Sequence, residues 1–210
     1  MPARGGAPDP APDGTETVAA AKARWRERIR AARAALPPQR RAREAALLTD
    51  AVLALAAAVP GPVCAHLPVG AEPWSADGVE ALRAAGHEVL LPVVADRDGP
   101  LDWARYTGPG DLTRGPFGLR EPVGPRLGPA AVARAGLVLL PALAVDRRGV
   151  RLGQGGGFYD RTLPAAGAGV VLAAVLGAGE LVDELPTAPH DRRVGLALLP
   201  GGPTVLPTAG

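Results

Sequence analysis

Two uninterrupted apolar runs of strand length, GLVLLPALAV at 136–145 and GVVLAAVLG at 169–177, constrain this chain most. A strand without polar alternation has no face to give to water, so each reads as a fully buried central strand of the kind found in parallel sheets. Shorter β-like runs at 63–69 and 87–95 and an edge strand at 101–106 surround a helical stretch at 75–85. That alternation predicts an α/β fold.

The N-terminal part has a different character. Residues 1–15 are rich in Pro, Gly and Asp and offer little to bury, which predicts a disordered tail. From 16 to 36, Val18, Ala21, Trp25, Ile29, Ala32 and Leu36 recur at steps of three and four, the period of an amphipathic helix. Pro37 and Pro38 end it and open a second helix, rich in Ala and Leu, that runs to about residue 59 and stops at Pro60-Gly61-Pro62. The length of 210 residues suits one core, so 16–210 is read as a single domain with an N-terminal helical arm.

After the first buried run comes RLGQGGGFYD, residues 151–160. Glycines at 153, 155, 156 and 157 allow positive φ and close approach to a ligand, so successive N–H groups can point at one anion, and Asp160 is placed for the metal that accompanies a nucleotide. The connection 146–150 puts this loop beyond the carboxyl end of a strand, where open α/β sheets bind ligands. A helix starting near Phe158 would turn its N-terminus toward the anion.

Scarce residue types exclude several chemistries. Lys22 is the only lysine, so a P-loop, with lysine directly after its last glycine, is impossible. Ser75 is the only serine and lacks a G-x-S-x-G setting, which disfavours a serine hydrolase. Phe158 stands where the third glycine of a dinucleotide fingerprint would be. Cys64 is alone, so no disulfide can form within the chain and no thiolate cluster can hold a metal. No apolar run approaches a membrane span and the N-terminus lacks a signal-peptide core; a cytoplasmic protein without membrane partners is expected.

The net charge of +2 hides an excess in residues 21–50, which carry nine basic and three acidic side chains. Lys22, Arg26, Arg30 and Arg33 follow at helical spacing and form one stripe. Such a face is ordinarily solvated, and Arg33→Ala is expected to be nearly silent. The lone lysine one turn from Arg26 reads differently, because an ammonium and a guanidinium can grip two parts of a polyphosphate. No aromatic interleaving accompanies the basic residues, so nucleic acid is not the expected partner. Asp160 and Asp191 are the metal candidates, since Mg²⁺ takes one or two protein carboxylates and completes its shell with water and phosphate oxygen. Asp191 also suits a turn, and His190 beside it reads as a surface residue. Glu72 lies in a loop after a strand, where ligand contacts concentrate. Trp74 and Trp103 are read as core.

With these residues in view, the chain resembles the 5-formyltetrahydrofolate cyclo-ligase family, also called methenyltetrahydrofolate synthetase. The family's K-x-x-L-R start occurs as KARWR with Trp25 for leucine, its P-x-x-x-E element as PVGAE, and its G-x-x-E-P element as GLREP. Its most specific stretch occurs as LPALAVDRRGVRLGQGGGFYDR. The resemblance implies a three-layer α/β sandwich around a mostly parallel mixed sheet, and ATP- and Mg²⁺-dependent conversion of 5-formyltetrahydrofolate to 5,10-methenyltetrahydrofolate. It further implies that Lys22, Arg26, Arg151, Leu152, Gly153, Gln154, Gly155, Gly156, Gly157, Phe158 and Tyr159 hold ATP, with Lys22, Arg151 and Tyr159 in catalytic roles. Leu67 and Glu72 would contact the folate, Gln154 to Phe158 would border both ligands, and Asp160 and Asp191 would bind magnesium. Phe158, where tyrosine is usual, Trp25, and Gly195, where an acidic residue is frequent, depart from the pattern. A monomer is expected. The residues alone also admit a sugar-phosphate-binding α/β enzyme without ATP, or a non-catalytic nucleotide- or nucleic-acid-binding protein.

Overall fold

The computed structural model describes residues 17–188 and 191–207. The expected tail over 1–15 and His190 lie outside them. Helix α1 (Val18–Ala35) starts on Thr17, whose hydroxyl accepts the Ala20 N–H at 3.2 Å. After Pro37, helix α2 (Pro38–Ala58) buries Glu44, Leu48, Val52 and Ala56, one position per turn, and ends before the Pro60-Gly61-Pro62 break. Ser75 caps α3 (Ala76–Ala84) by accepting the Gly78 N–H.

Seven strands form the main sheet: β1 (Val63–Cys64), β2 (Val89–Val93), β3 (Asp102–Arg105), β6 (Leu137–Pro141), β9 (Val171–Val175), β11 (Leu196–Leu199) and β12 (Gly202–Val205). Their order is β12-β11-β9-β6-β1-β2-β3; the five inner strands pair in parallel and the two edges antiparallel. Side chains alternate across this sheet, so Leu137 and Leu139 join Leu48, Val52, Val79 and Leu82 beneath α2 and α3. Val138 and Leu140 face the other way, with Trp103, Val132 and Leu163. The covering layer there contains a 3₁₀ segment at Pro129–Arg134 and the short helix α4 (Phe158–Thr162). Trp74 and Trp103 are core residues, as the sequence predicts.

Two expected strands come out differently. The run 136–145 is two strands: β6 ends at Pro141, which has no N–H to continue the ladder, and the chain then enters a second sheet as β7 (Ala144–Asp146). That sheet has the order β10-β7-β8, with β8 (Arg151–Leu152) and β10 (Leu181–Val182). The run 63–69 is a strand only over Val63–Cys64. Ala65 still donates its N–H to Leu90 at 2.9 Å, but at His66 the imidazole meets the Leu139 carbonyl, and Pro68 has no donor. A remaining hairpin, β4 (Leu112–Arg114) with β5 (Arg120–Pro122), forms its own two-stranded sheet and is tied to the end of β2 by Glu121, which accepts the Val94 N–H at 2.8 Å.

Helix α1 packs on the small sheet through Ile29, which joins Leu143, Ala144, Val150, Leu152 and Leu185. Few of its residues are buried, and the basic stripe does most of the docking. Arg33 is not solvated: it is 4% exposed, its guanidinium donates to both Glu180 oxygens at 2.6 and 2.7 Å, and it also donates to the Ala142 carbonyl at 2.7 Å. The helical period places Arg33 on the stripe, but periodicity alone does not show that acceptors 109 and 147 residues away face it. Arg33→Ala leaves the Glu180 carboxylate buried without its cation, a loss of about 3–5 kcal/mol. Thermal unfolding followed by circular dichroism should show Tm falling by roughly 10 °C. Arg147→Ala, which removes an exposed pair with Asp183, should barely move it.

Candidate active site

The site is built around a hairpin held by one buried carboxylate. Asp146 has no exposure, yet accepts the N–H groups of Arg148 and Val150 at 2.9 Å and of Leu185 at 3.1 Å, plus the Arg148 guanidinium at 2.8 Å. Four donors on one buried anion satisfy it and fix the β7–β8 connection. The glycine turn therefore leaves β8 in a set direction.

Within the turn, Gly155 has φ +106° and Gly157 φ +70°, the left-handed region in which a side chain is strained. The turn's carbonyls face cations. Arg26 donates to Gly153 O at 3.0 Å, Arg30 to the Gln154 carbonyl at 3.3 Å and its side-chain oxygen at 2.9 Å, and Arg161 to Gly156 O at 3.1 Å. Among the described residues, the N–H groups of 154–157 donate to no protein acceptor. A backbone whose carbonyls are occupied while successive N–H groups stay open is suited to an anion.

The turn lines a mostly apolar cavity of about 390 Å³. Leu67 and Glu72 line it too, together with Arg151, Phe158, Tyr159 and Asp160. Glu72 accepts the Val69 N–H at 3.1 Å and the Gln154 side-chain amide at 3.4 Å, tying its loop to the turn. Arg151, nearly buried, donates to Asp160 at 2.8 Å and to Pro141 O at 3.2 Å. Its Nε and the buried Tyr159 hydroxyl have no protein partner among the described residues. Burial and the charge of Glu72 push the Tyr159 phenol far up, so it stays a neutral donor.

Lys22 donates to both Asp191 oxygens, at 2.8 and 2.6 Å. Burial raises the Asp191 carboxyl, but hydrogen bonds from Lys22, the Ala188 N–H and Thr187 outweigh it and hold the group below the usual carboxylate range. Leu152 is placed otherwise: its side chain is buried with Ile29 and Val150.

A model of the 5-formyltetrahydrofolate cyclo-ligase family matches residues 18–200. The chain belongs to this family. It is 48% identical over 142 residues to the 5-formyltetrahydrofolate cyclo-ligase of Mycolicibacterium smegmatis, covering 66% of this chain and 73% of that protein. The Escherichia coli K12 cyclo-ligase is 36% identical over 86 residues, 40% of this chain and 47% of that protein. In fold, the chain is similar to the Aquifex aeolicus 5,10-methenyltetrahydrofolate synthetase, with TM-score 0.72, 24% identity, and coverage of 90% and 94% of the two chains. The Mycoplasma pneumoniae synthetase gives TM-score 0.65 at 18% identity, covering 84% of this chain and 97% of that one. These two likenesses establish the cyclo-ligase fold.

The open N–H groups of the turn fit the phosphate oxygens of a nucleotide, while the Arg151 Nε and the Tyr159 hydroxyl beside the cavity are buried polar atoms without a protein partner among the described residues. For a divalent ion the fit depends on the substrate. No group of three or more His, Cys, Asp or Glu among the described residues could hold a metal unaided. Asp160 and Asp191 could each give one ligand, with phosphate oxygens and water completing the shell.

Sequence reasoning missed four contributors. Arg30 and Arg161 hold the turn's carbonyls, Asp146 fixes the hairpin, and His66 lines the cavity beside Glu72. His66 left a local signal as the one polar side chain in an apolar strand-like run, and Asp146 and Arg161 lie inside the quoted stretch LPALAVDRRGVRLGQGGGFYDR, which does not show what they hold. Gly155→Ala forces a Cβ onto a left-handed residue at an exposed position, so its cost of about 1–2 kcal/mol is conformational. A Tm lowered by a few degrees in a melting experiment is the expected result.

Proposed function

We propose that the protein catalyses the ATP- and Mg²⁺-dependent closure of 5-formyltetrahydrofolate to 5,10-methenyltetrahydrofolate, releasing ADP and phosphate. The observation that carries this is the glycine turn itself, with open N–H groups between the Glu72 side of a cavity and the cations of α1. A formamide is a poor electrophile, so its oxygen must become a leaving group. Transfer of the γ-phosphoryl group of ATP to that oxygen does so; N10 then bonds to the formyl carbon and gives up its proton to solvent or the departing phosphate, the carbon–oxygen bond breaks, and phosphate leaves with the electron pair.

The protein's part is positioning and charge neutralisation. The N–H groups of 154–157 and the guanidinium of Arg151 would take phosphate oxygens, and Arg26, already at the turn, would stay beside them. Lys22 would exchange Asp191 for phosphate, freeing that carboxylate. Asp160 and Asp191 would hold Mg²⁺, which supplies charge neutralisation on the phosphates. Tyr159, kept protonated by its burial, would donate to an oxygen of the substrate without changing its charge state. Leu67 and Glu72, which line the cavity, would receive the folate at the other side of the turn, and the formyl group would then meet the terminal phosphate.

Purified protein with ATP, Mg²⁺ and 5-formyltetrahydrofolate should generate the near-UV absorbance of the methenyl product, and omission of any one component should abolish it. Lys22→Ala should raise the apparent KM for ATP roughly tenfold to a hundredfold, the worth of one charge-assisted contact. Asp160→Asn should raise the Mg²⁺ concentration needed for half-maximal rate more than it raises the KM for the folate. Unchanged kinetics in both variants would remove the proposed site.

A further inference from the structure

His66 is 94% buried, since 6% of it is exposed, and it lines the cavity, yet no step above uses it. Its Nδ1 lies 3.1 Å from the Leu139 carbonyl oxygen. A carbonyl can only accept, so Nδ1 carries the hydrogen and the neutral ring keeps its lone pair on Nε2. That atom is 3.9 Å from Glu72 Oε2, beyond hydrogen-bond reach, and no described protein group donates to it. Trp74 packs edge-on against the ring, with centroids 5.9 Å apart, and limits its rotation. Two acceptors thus stand side by side at one wall of the cavity: an imidazole nitrogen with no donor among the described residues, and a carboxylate that takes one N–H from Val69 and one from Gln154 and has lone pairs left.

We infer that His66 is a specificity-determining residue whose unprotonated Nε2 accepts a hydrogen bond from an N–H of the bound reduced folate, beside the donor taken by Glu72. The inference rests on Glu72 marking the folate side of the cavity. The aminopyrimidinone edge of a reduced pterin carries an exocyclic amine next to a ring N–H, the paired donors that two adjacent acceptors select. A ligand with a carbonyl or hydroxyl acceptor at that edge would face two lone pairs and be rejected.

The charge state of the ring matters for the same reason. Burial lowers the affinity of His66 for a proton; the Glu72 carboxylate and the Leu139 carbonyl oppose this, and the Arg33 guanidinium, itself paired with Glu180, adds to it, leaving the pKa below the ordinary histidine value. The ring is therefore neutral at neutral pH. Acidification through its pKa converts Nε2 to a donor and pairs it with Glu72, which removes both acceptors at once. Folate affinity should fall as the pH drops, while ATP affinity should not follow it.

The test compares wild type with His66→Phe, His66→Gln and Glu72→Gln, measuring the Kd for 5-formyltetrahydrofolate by tryptophan fluorescence titration at neutral pH and at stepwise lower pH, below the ordinary histidine value, with KM for both substrates. His66→Phe keeps a flat ring without the acceptor and should weaken folate binding about tenfold at neutral pH and flatten its pH dependence, with KM for ATP unchanged. His66→Gln, an acceptor that does not titrate, should recover most of the affinity and remain flat in acid. If Glu72→Gln weakens folate binding while His66→Phe matches wild type in affinity and pH profile, the inference is overturned. If Glu72→Gln leaves folate binding unchanged, the folate side has been misassigned and the inference falls with it.

Discussion

Helix α1 has little apolar surface to hold it in place. Ile29 is its one fully buried hydrophobic residue, and Trp25 is half-buried beside it. What fixes the helix is a row of cations meeting acceptors on the α/β body: Lys22 on Asp191, Arg26 on Gly153 O, Arg30 on Gln154 and Arg33 on Glu180. Arg33 matters most, because both partners are buried and a bidentate pair in low dielectric loses much when one member is removed. The same docking brings Arg26 to the glycine turn, with Lys22 one helical turn before it on Asp191, so the stability of the arm and the placement of these cations are one problem.

Elsewhere in the site, charges are matched before any ligand arrives. Lys22 sits with Asp191 and Arg151 with Asp160, each cation beside a carboxylate proposed for the metal. A magnesium nucleotide brings opposite charge to both members of each pair, so exchange leaves every ion compensated. Neither phosphate alone nor a divalent ion alone does this. The backbone has the complementary property: its carbonyls are engaged by Arg26, Arg30 and Arg161, and its N–H groups are not.

Much of this was legible in the sequence, because it depends on local pattern. The apolar runs at 136–145 and 169–177 mark the centre of the sheet, the 3.6 period marks α1, the prolines at 37–38 and the break at 60–62 bound α2, and Ser75 marks the start of α3. The family resemblance rests most on residues 140–161, with KARWR, PVGAE and GLREP as weaker support. What stayed hidden was long-range. Nothing near Arg33 announces Glu180, which lies 147 residues on, and Asp146 reads as a turn residue until its four donors are seen. The break at Pro141 was visible as a proline, but only the second sheet explains why the chain continues as a strand after it. His66 was hidden for a related reason: its meaning comes from Leu139, on a neighbouring strand, and from Glu72, across a loop.

The central claim is spatial: a triphosphate sits between the N–H groups of 154–157 and the cations of α1, with a divalent ion beside Asp160 and Asp191. A crystal structure with Mg²⁺ and a non-hydrolysable ATP analogue tests it directly. The account predicts phosphate density within hydrogen-bond distance of those N–H groups, Lys22 released from Asp191 onto phosphate, and a metal bridging carboxylate and phosphate oxygen. A nucleotide bound elsewhere, or a turn left empty with the Lys22–Asp191 pair intact, would contradict it.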